Sequence, residues 1–267
     1  MLPPVWRLSS SSLLLQLLCF LYLVGTANSR TARPVVVDNV RISVLTNGIV
    51  RIEHSLSRSF EDRPSLTILE RFGNHVSKNL PISLGGRTPD WRSAAPVVSV
   101  TRNGNNVTTI STAYLTINVS ALDPDGTLSC ASINVTLLRA SPQQNSLWCP
   151  EMGLTSGRNL NGSVMTTDCY ASPEVCYNTY LQRMRPGLLS RDGFVVVDDT
   201  TTAVLNPADD GWVQNRPPGD DGYLDWIFVE GTDYRATFSD FVTVAGPIPL
   251  LPTTCGGASS DPTTPPA

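Results

Sequence analysis

Carboxylates arrive in pairs in the C-terminal part of this sequence: Asp198-Asp199, Asp209-Asp210 and Asp220-Asp221. Retaining glycoside hydrolysis needs two carboxyl groups about 5–5.5 Å apart, one as nucleophile and one as acid/base. Adjacent residues of an extended chain point to opposite faces, so a doublet alone cannot converge on one sugar. The second and third doublets precede glycine in proline-rich loops, which marks turn chemistry ahead of a calcium loop. The sequence holds no Gly-x-Ser-x-Gly elbow, His-Glu-x-x-His pair, glycine-rich phosphate loop or cysteine–histidine nucleophile pairing. No catalytic residue can be named, and neither a cofactor nor a metal is expected; both histidines lie away from the cysteine pairs. Trp212, Tyr223 and Trp226 have the chemistry to stack on sugar rings, although Trp226, inside a strand pattern, is expected in the core.

A second set of residues speaks of compartment. Arg7 is the only charged residue before Arg30, and Leu13 to Gly25 between them is a largely apolar run. That run is shorter than the ~20 residues a membrane span needs. With small residues at Ala27 and Ser29, residues 1–29 read as a secretory signal peptide, and no membrane span is expected after its removal. Asn106, Asn118, Asn134 and Asn161 each begin an Asn-x-Ser/Thr sequon, which agrees with a secreted, glycosylated chain in an extracellular or lumenal setting. Five cysteines follow the signal segment. Cys130–Cys149 and Cys169–Cys176 are the bridges that close the shortest loops, connectivity itself being open, and Cys255 is left over. The net charge is −4, from 19 basic and 23 acidic residues. Without a basic stripe, nucleic acid is not an expected partner.

The elements that must position these residues are β throughout. Val40 to Leu45 and Ile49 to His54 flank Thr46-Asn47-Gly48, a hairpin signal in which Asn and Gly supply positive φ. Alternation places Ile42, Val44, Val50 and Ile52 on one face, with Arg51 and Glu53 outward. Phe60 to Ser65 is too polar for a core strand. Val97 to Arg102, one or two strands within Val107 to Ser120, and Ile133 to Leu138 continue the pattern. Phe194 to Val197 and Tyr223 to Val229 are two more strands. Then the period changes. Tyr234, Phe238, Phe241 and Ala245 share one face of a helix capped at Thr232 or Asp233 and stopped by Gly246-Pro247. Tyr234, Phe238 and Phe241 are expected to pack on the sheets, while Ile248, Leu250 and Leu251 behind them find no partner in this chain. The sum is an all-β sandwich with one short C-terminal helix, followed by a Ser/Thr/Pro-rich tail.

The order of these residues also resembles a known family. Gly187-Leu188-Leu189-Ser190-Arg191-Asp192-Gly193-Phe194, Asp198-Asp199, Gly231-Thr232-Asp233-Tyr234 and Gly246 to Pro252 look like the end of the N-terminal β-sandwich of glycoside hydrolase family 31, the α-glucosidase family. The hairpin followed by Asp62-Arg63-Pro64-Ser65 is similar to the opening of the same domain. The resemblance implies a galactose-mutarotase-like supersandwich over residues 30–246, with 247–267 as exit segment and tail. In that family the Pro-Leu-Pro exit leads into a (β/α)8 barrel, which carries both catalytic aspartates, the nucleophile within Trp-x-Asp-Met-Asn. No such string occurs here, and the sequence stops fifteen residues after Pro252. The resemblance therefore implies a non-catalytic domain of an enzyme acting on an α-linked glucoside or related saccharide. By position, the substrate-contacting candidates are Thr167 and Asp168, in the loop between Asn161 and Leu188, with Arg191 and Asp192. The chain departs from the family at Asn161, where glycine is usual, at Phe194, where tryptophan is usual, and in carrying Cys169 and Cys176. The second reading is a free-standing secreted sugar-binding or structural sandwich.

Overall fold

The first hairpin forms where expected. Strands β2 (Val40–Val44) and β3 (Ile49–His54) pair antiparallel, with Ile42 opposite Ile52 and Val44 opposite Val50. Its turn works differently, because neither Asn47 nor Gly48 has a positive φ. Thr46 Oγ1 instead accepts the N–H groups of Gly48 (3.1 Å) and Ile49 (3.0 Å). Glycine at 48 answers crowding, since a Cβ there would stand 3.3 Å from Asp240 Oδ2 and 3.5 Å from Glu230 Cβ. The structure, a computed structural model, describes residues 33–71, 96–103, 106–121, 126–154, 157–162, 185–206, 212–217, 219 and 222–246.

The hairpin is the centre of a five-stranded antiparallel sheet. Its order is β1 (Val35–Val37), β2, β3, then β12 (Leu224–Glu230), then β9 (Phe194–Asp198). A second five-stranded sheet is a plain meander: β4 (Ser99–Arg102), β5 (Thr108–Ser111), β6 (Leu115–Val119), β7 (Ile133–Leu137) and β8 (Leu147–Trp148). A small pair, β10 (Val204–Asn206) with β11 (Trp212–Gln214), completes the described strands. The architecture is an all-β sandwich with one short helix, α1 (Tyr234–Ala245). No described helix is long and apolar enough to cross a membrane.

Alternation fills the space between the sheets. Ile110, Leu115, Ile117, Val119, Ile133, Val135 and Leu137 from the meander meet Ile42, Val44, Val50, Ile52, Val196 and Phe228 from the first sheet. Trp148 is fully buried at the middle, its ring centroid 5.4 Å from Phe228 and 6.3 Å, edge-on, from Trp226. Trp226 is thus packed against the core, as its place in a strand implied. The Trp148 Nε1–H donates to Gly153 O at 3.0 Å. The neighbouring Cys149 is bridged to Cys130, the expected disulfide, which ties β8 to the turn before β7.

Helix α1 lies on the opposite face of the first sheet, with Asp233 accepting the N–H groups of Arg235 and Ala236 as its cap. Its packing face is not the expected one. Thr237 and Val244 are buried and Phe241 half-buried, against Leu45, Ile49, Ile68, Ile227 and Val229. Tyr234 and Phe238 remain 38% and 51% exposed. Hydrogen bonds fix this rotation. Thr237 Oγ1 reaches Glu230 O (3.1 Å), Thr46 Oγ1 reaches Asp240 Oδ2 (3.2 Å), and Val244 O accepts from the backbone of Leu69 and Glu70. Those three anchors turn Tyr234, Phe238 and Val242 outward as one stripe.

Candidate functional site

Two segments that are separate in sequence close into a clamp just before β9. Asn159 and Ser190 form an antiparallel bridge. Around it, Leu160 N–H donates to Leu189 O (2.9 Å), Gly162 N–H to Arg185 O (2.8 Å) and Arg191 N–H to Arg158 O (3.1 Å). The Asn159 side chain sits in the middle. Its Oδ1 accepts from Asn161 N–H and Gly187 N–H, both at 2.8 Å, and its Nδ2 donates to Gly187 O at 2.9 Å. Asn161 takes φ 62°, a conformation asparagine tolerates better than most residues. The chain leaves this clamp at Gly162 and returns at Arg185. Thr167, Asp168, Cys169 and Cys176 fall on the excursion and lie outside the described residues.

Arg191 and Asp192 stand at the mouth of the clamp and are unlike each other. Arg191 is exposed, so its guanidinium is free to present donors outward. Asp192 is buried and accepts from Arg158 Nη1 at 3.1 Å, while its own N–H binds Ser190 Oγ. A carboxylate committed in this way orients a loop rather than transferring a proton. Tyr234 OH, from the first residue of α1, reaches Ser190 O at 3.4 Å and links the clamp to the helix.

Gly187 is the residue the clamp cannot change. A Cβ there would fall 2.3 Å from Asn161 O and 2.8 Å from Gly162 N, both backbone atoms with nowhere to move. Gly187→Ala is therefore expected to open the clamp while the sheets persist. Hydrogen exchange is the check. Protection of the Gly162 and Leu160 amides should fall at least ~10-fold while that of β12 is unchanged. Unaltered protection at Gly162 would contradict this geometry.

A second cluster, larger and fully buried, covers the other half of the first sheet's outer face. Arg51 grips both oxygens of Asp225 through Nε and Nη2, each at 2.8 Å. Arg216 spans Asp225 (2.7 Å) and Asp199 (3.0 Å), and Arg71 Nη1 reaches Asp199 at 3.0 Å. Ser65 Oγ donates to Asp199 Oδ1 at 3.0 Å. Glu53 receives Arg41 at 2.5 Å and Arg51 at 2.7 Å. The side chains of Arg51, Glu53, Asp199 and Asp225 are 0% exposed. Arg51 and Glu53 do point away from the core between the sheets, but segment 60–71 and Arg216 roof them over, so they do not meet water. Burial pushes the Asp225 carboxyl up, yet the charge and hydrogen bonds of Arg51, with Arg71 and Arg216, outweigh it and hold its pKa down at about 2. Burial and the Asp225 and Glu53 carboxylates push the Tyr223 phenol up. Tyr223 OH faces this layer, 3.3 Å from Arg216, and not a sugar-stacking surface.

The carboxylates of this layer are saturated by guanidinium groups, so they do structural work and not acid–base chemistry. Of the acidic doublets, Asp198 is exposed and Asp199 buried, the opposite-face arrangement of an extended chain. Asp209, Asp210, Asp220, Asp221 and the side chain of Trp212 lie outside the described residues. Among the described residues, no group of three or more His, Cys, Asp or Glu side chains is gathered to hold a metal. Sequon residues Asn106 and Asn161 are exposed at positive φ, whereas Asn118 and Asn134 are half-buried on the meander face turned away from the core.

No family model matches the sequence, and no curated protein matches it. Among solved structures, the fold is similar to a GH31 dextranase of Flavobacterium johnsoniae complexed with isomaltotriose, at 14% identity and a TM-score of 0.35. The match takes in 79% of this chain and 26% of the dextranase, so this chain spans about a quarter of that protein's length.

Proposed function

We infer that this chain is the N-terminal β-sandwich of an α-glucosidase-type enzyme of glycoside hydrolase family 31. In this reading it is non-catalytic by itself. Arg191, exposed beside the Asn159–Gly187 clamp, is the described candidate for contact with the sugar, and a barrel this sequence does not contain supplies the catalytic aspartates. One observation carries the reading: residues of the resemblance from opposite ends of the domain meet in space. Ser65, of Asp-Arg-Pro-Ser, binds Asp199 from 134 positions away and bridges to Val204. Ser190 and Tyr234, from two further motifs, touch at 3.4 Å. The saccharide would be an α-linked glucoside or a relative of one, met in the secretory pathway.

Two measurements test it. Long-read sequencing of the transcript through the Cys255 codon is expected to find a frame encoding a barrel with Trp-x-Asp-Met-Asn. Transcripts that all terminate at Ala267 would sink the reading and favour a free-standing sandwich. The purified chain alone is expected to release no chromophore from a chromogenic α-glucoside, for want of a positioned nucleophile and acid. Turnover that disappears when one acidic residue of this chain is changed would overturn the non-catalytic assignment.

A further inference from the structure

Asn118 on β6 and Asn134 on β7 are direct register partners. Their neighbours Ile117, Val119, Ile133 and Val135 are buried, so both asparagines project from the opposite, half-exposed face. That face is uncharged where they stand. One rung runs Thr101, Thr109, Asn118, Asn134, and the next runs Ser99, Ser111, Thr116, Thr136. Hydrogen bonds along the first rung all point one way. Thr109 Oγ1 donates to Asn118 Oδ1 at 2.8 Å, and Asn118 Nδ2 donates to Asn134 Oδ1 at 3.1 Å. The donor chain ends there, and Asn134 Nδ2 has no hydrogen-bond partner among the described residues.

We propose that of these two sequons only Asn134 carries an N-linked glycan in the folded protein, with the amide of Asn118 kept unmodified beneath it. In the transfer, Asn134 Nδ2 forms the bond to the anomeric carbon of an oligosaccharide donated by a polyprenyl diphosphate. The anomeric C–O bond to the diphosphate breaks, the lipid diphosphate leaves with the electron pair, and Nδ2 loses one proton. A sugar on Asn134 leaves both hydrogen bonds of the rung intact, because Asn134 takes part only as an acceptor. Transfer to Asn118 must draw its Nδ2 away from Asn134 Oδ1, and a sugar there sets its pyranose against Asn134 and Thr109. Cross-strand partners hold their Cβ atoms about 4.5–5.5 Å apart, so two sugar cores rooted on this pair compete for one space. Transfer that follows the pairing of β6 with β7 finds Asn118 Nδ2 engaged and Asn134 Nδ2 available. The proposal requires passage through the secretory lumen but is independent of the glycosidase reading.

The test is to secrete the full chain from a eukaryotic cell line and release its N-glycans with a peptide amidase in heavy-oxygen water. Each occupied asparagine is thereby converted to labelled aspartate, and peptide mapping locates it. Label is expected at Asn134 and none at Asn118. Asn118→Gln should leave the number of glycans per chain unchanged. Label at Asn118, alone or together with Asn134, overturns the proposal. So does absence of label at Asn134, whether or not Asn106 and Asn161 are labelled, and so does the loss of one glycan in Asn118→Gln.

Discussion

Asp225→Ala is expected to destabilise the protein by about 3–5 kcal/mol, the usual loss when one partner of a buried ion pair is removed. Asp225 receives the bidentate Arg51 and a nitrogen of Arg216, with Arg71 3.6 Å away. Without it, Arg51 keeps Glu53 as its one carboxylate, and Arg216 and Arg71 share Asp199, inside a layer closed to water. A domain is stable by only about 5–15 kcal/mol in total, so the variant stands near the threshold of folding. Urea unfolding at neutral pH measures the loss, and a change below ~1 kcal/mol would mean that the layer is hydrated and not dry. Acid supplies a second readout. The folded pKa of about 2 lies below the ordinary aspartate value, so the unfolded chain binds the more protons. The stability this group contributes is complete above the unfolded value of ~3.9 and is lost as pH falls through the folded one. Asp225→Asn, which keeps the shape, should flatten the dependence of the urea midpoint on pH across that window.

Trp148→Ala should cost a similar amount, about 3–5 kcal/mol, for a different reason. The loss here is of packing and not of charge. Trp148 is 0% exposed and fills the gap between the sheets, against Trp226 and Phe228, with Phe228 in turn stacked on Phe194 at 5.8 Å. Its position on the short edge strand β8 gives the surroundings little freedom to collapse, because the adjacent Cys149 is tied to Cys130. Thermal unfolding followed by near-ultraviolet circular dichroism should show both a lower midpoint and a weakened aromatic signal before heating. Trp148→Phe, which keeps most of the volume, should recover most of the loss. Equal stability of the alanine variant would show that the inter-sheet space closes without the indole.

The long strands were legible because alternation and turn residues are local properties. Ile42, Val44, Val50 and Ile52 could be assigned to one face from spacing alone, as could the helix, whose cap the spacing narrowed to Thr232 or Asp233 and the structure places at Asp233. The short strands β1, β8, β10 and β11 were not, since two or three residues carry no period. The rotation of α1 was misread for a related reason. Tyr234 and Phe238 are the larger apolar side chains, but Thr237, Phe241 and Val244 are the ones that distant partners, Glu230 and the Leu69–Glu70 backbone, turn inward. The ionic layer had a trace in the sequence: Arg41, Arg51, Glu53 and Asp225 interrupt otherwise apolar strands at alternate positions. What spacing could not reveal was the roof, because Arg71 and Arg216 arrive from loops. Of the candidate site, Arg191 and Asp192 could be named in the sequence, but not that the first is exposed and the second buried. That difference depends on Arg158, which has no motif of its own.

The ionic layer also constrains how the chain can be assembled. Strand side chains alternate with a period of two, so a slip of β3 by one residue would exchange its faces completely. Arg51 and Glu53 would then be driven between the sheets, beside Trp148 and Phe228, while Val50 and Ile52 would face Arg216. An ordinary amphipathic strand that slips merely exposes some apolar surface, and the error is shallow. Here the misalignment strands two full charges in an apolar medium, and the penalty falls on β2 and β12 together, since both are keyed to the same residues. The arginine–carboxylate layer thus acts as a proofreading device during folding, rejecting misregistered pairings whatever it adds to the equilibrium once the correct one is reached.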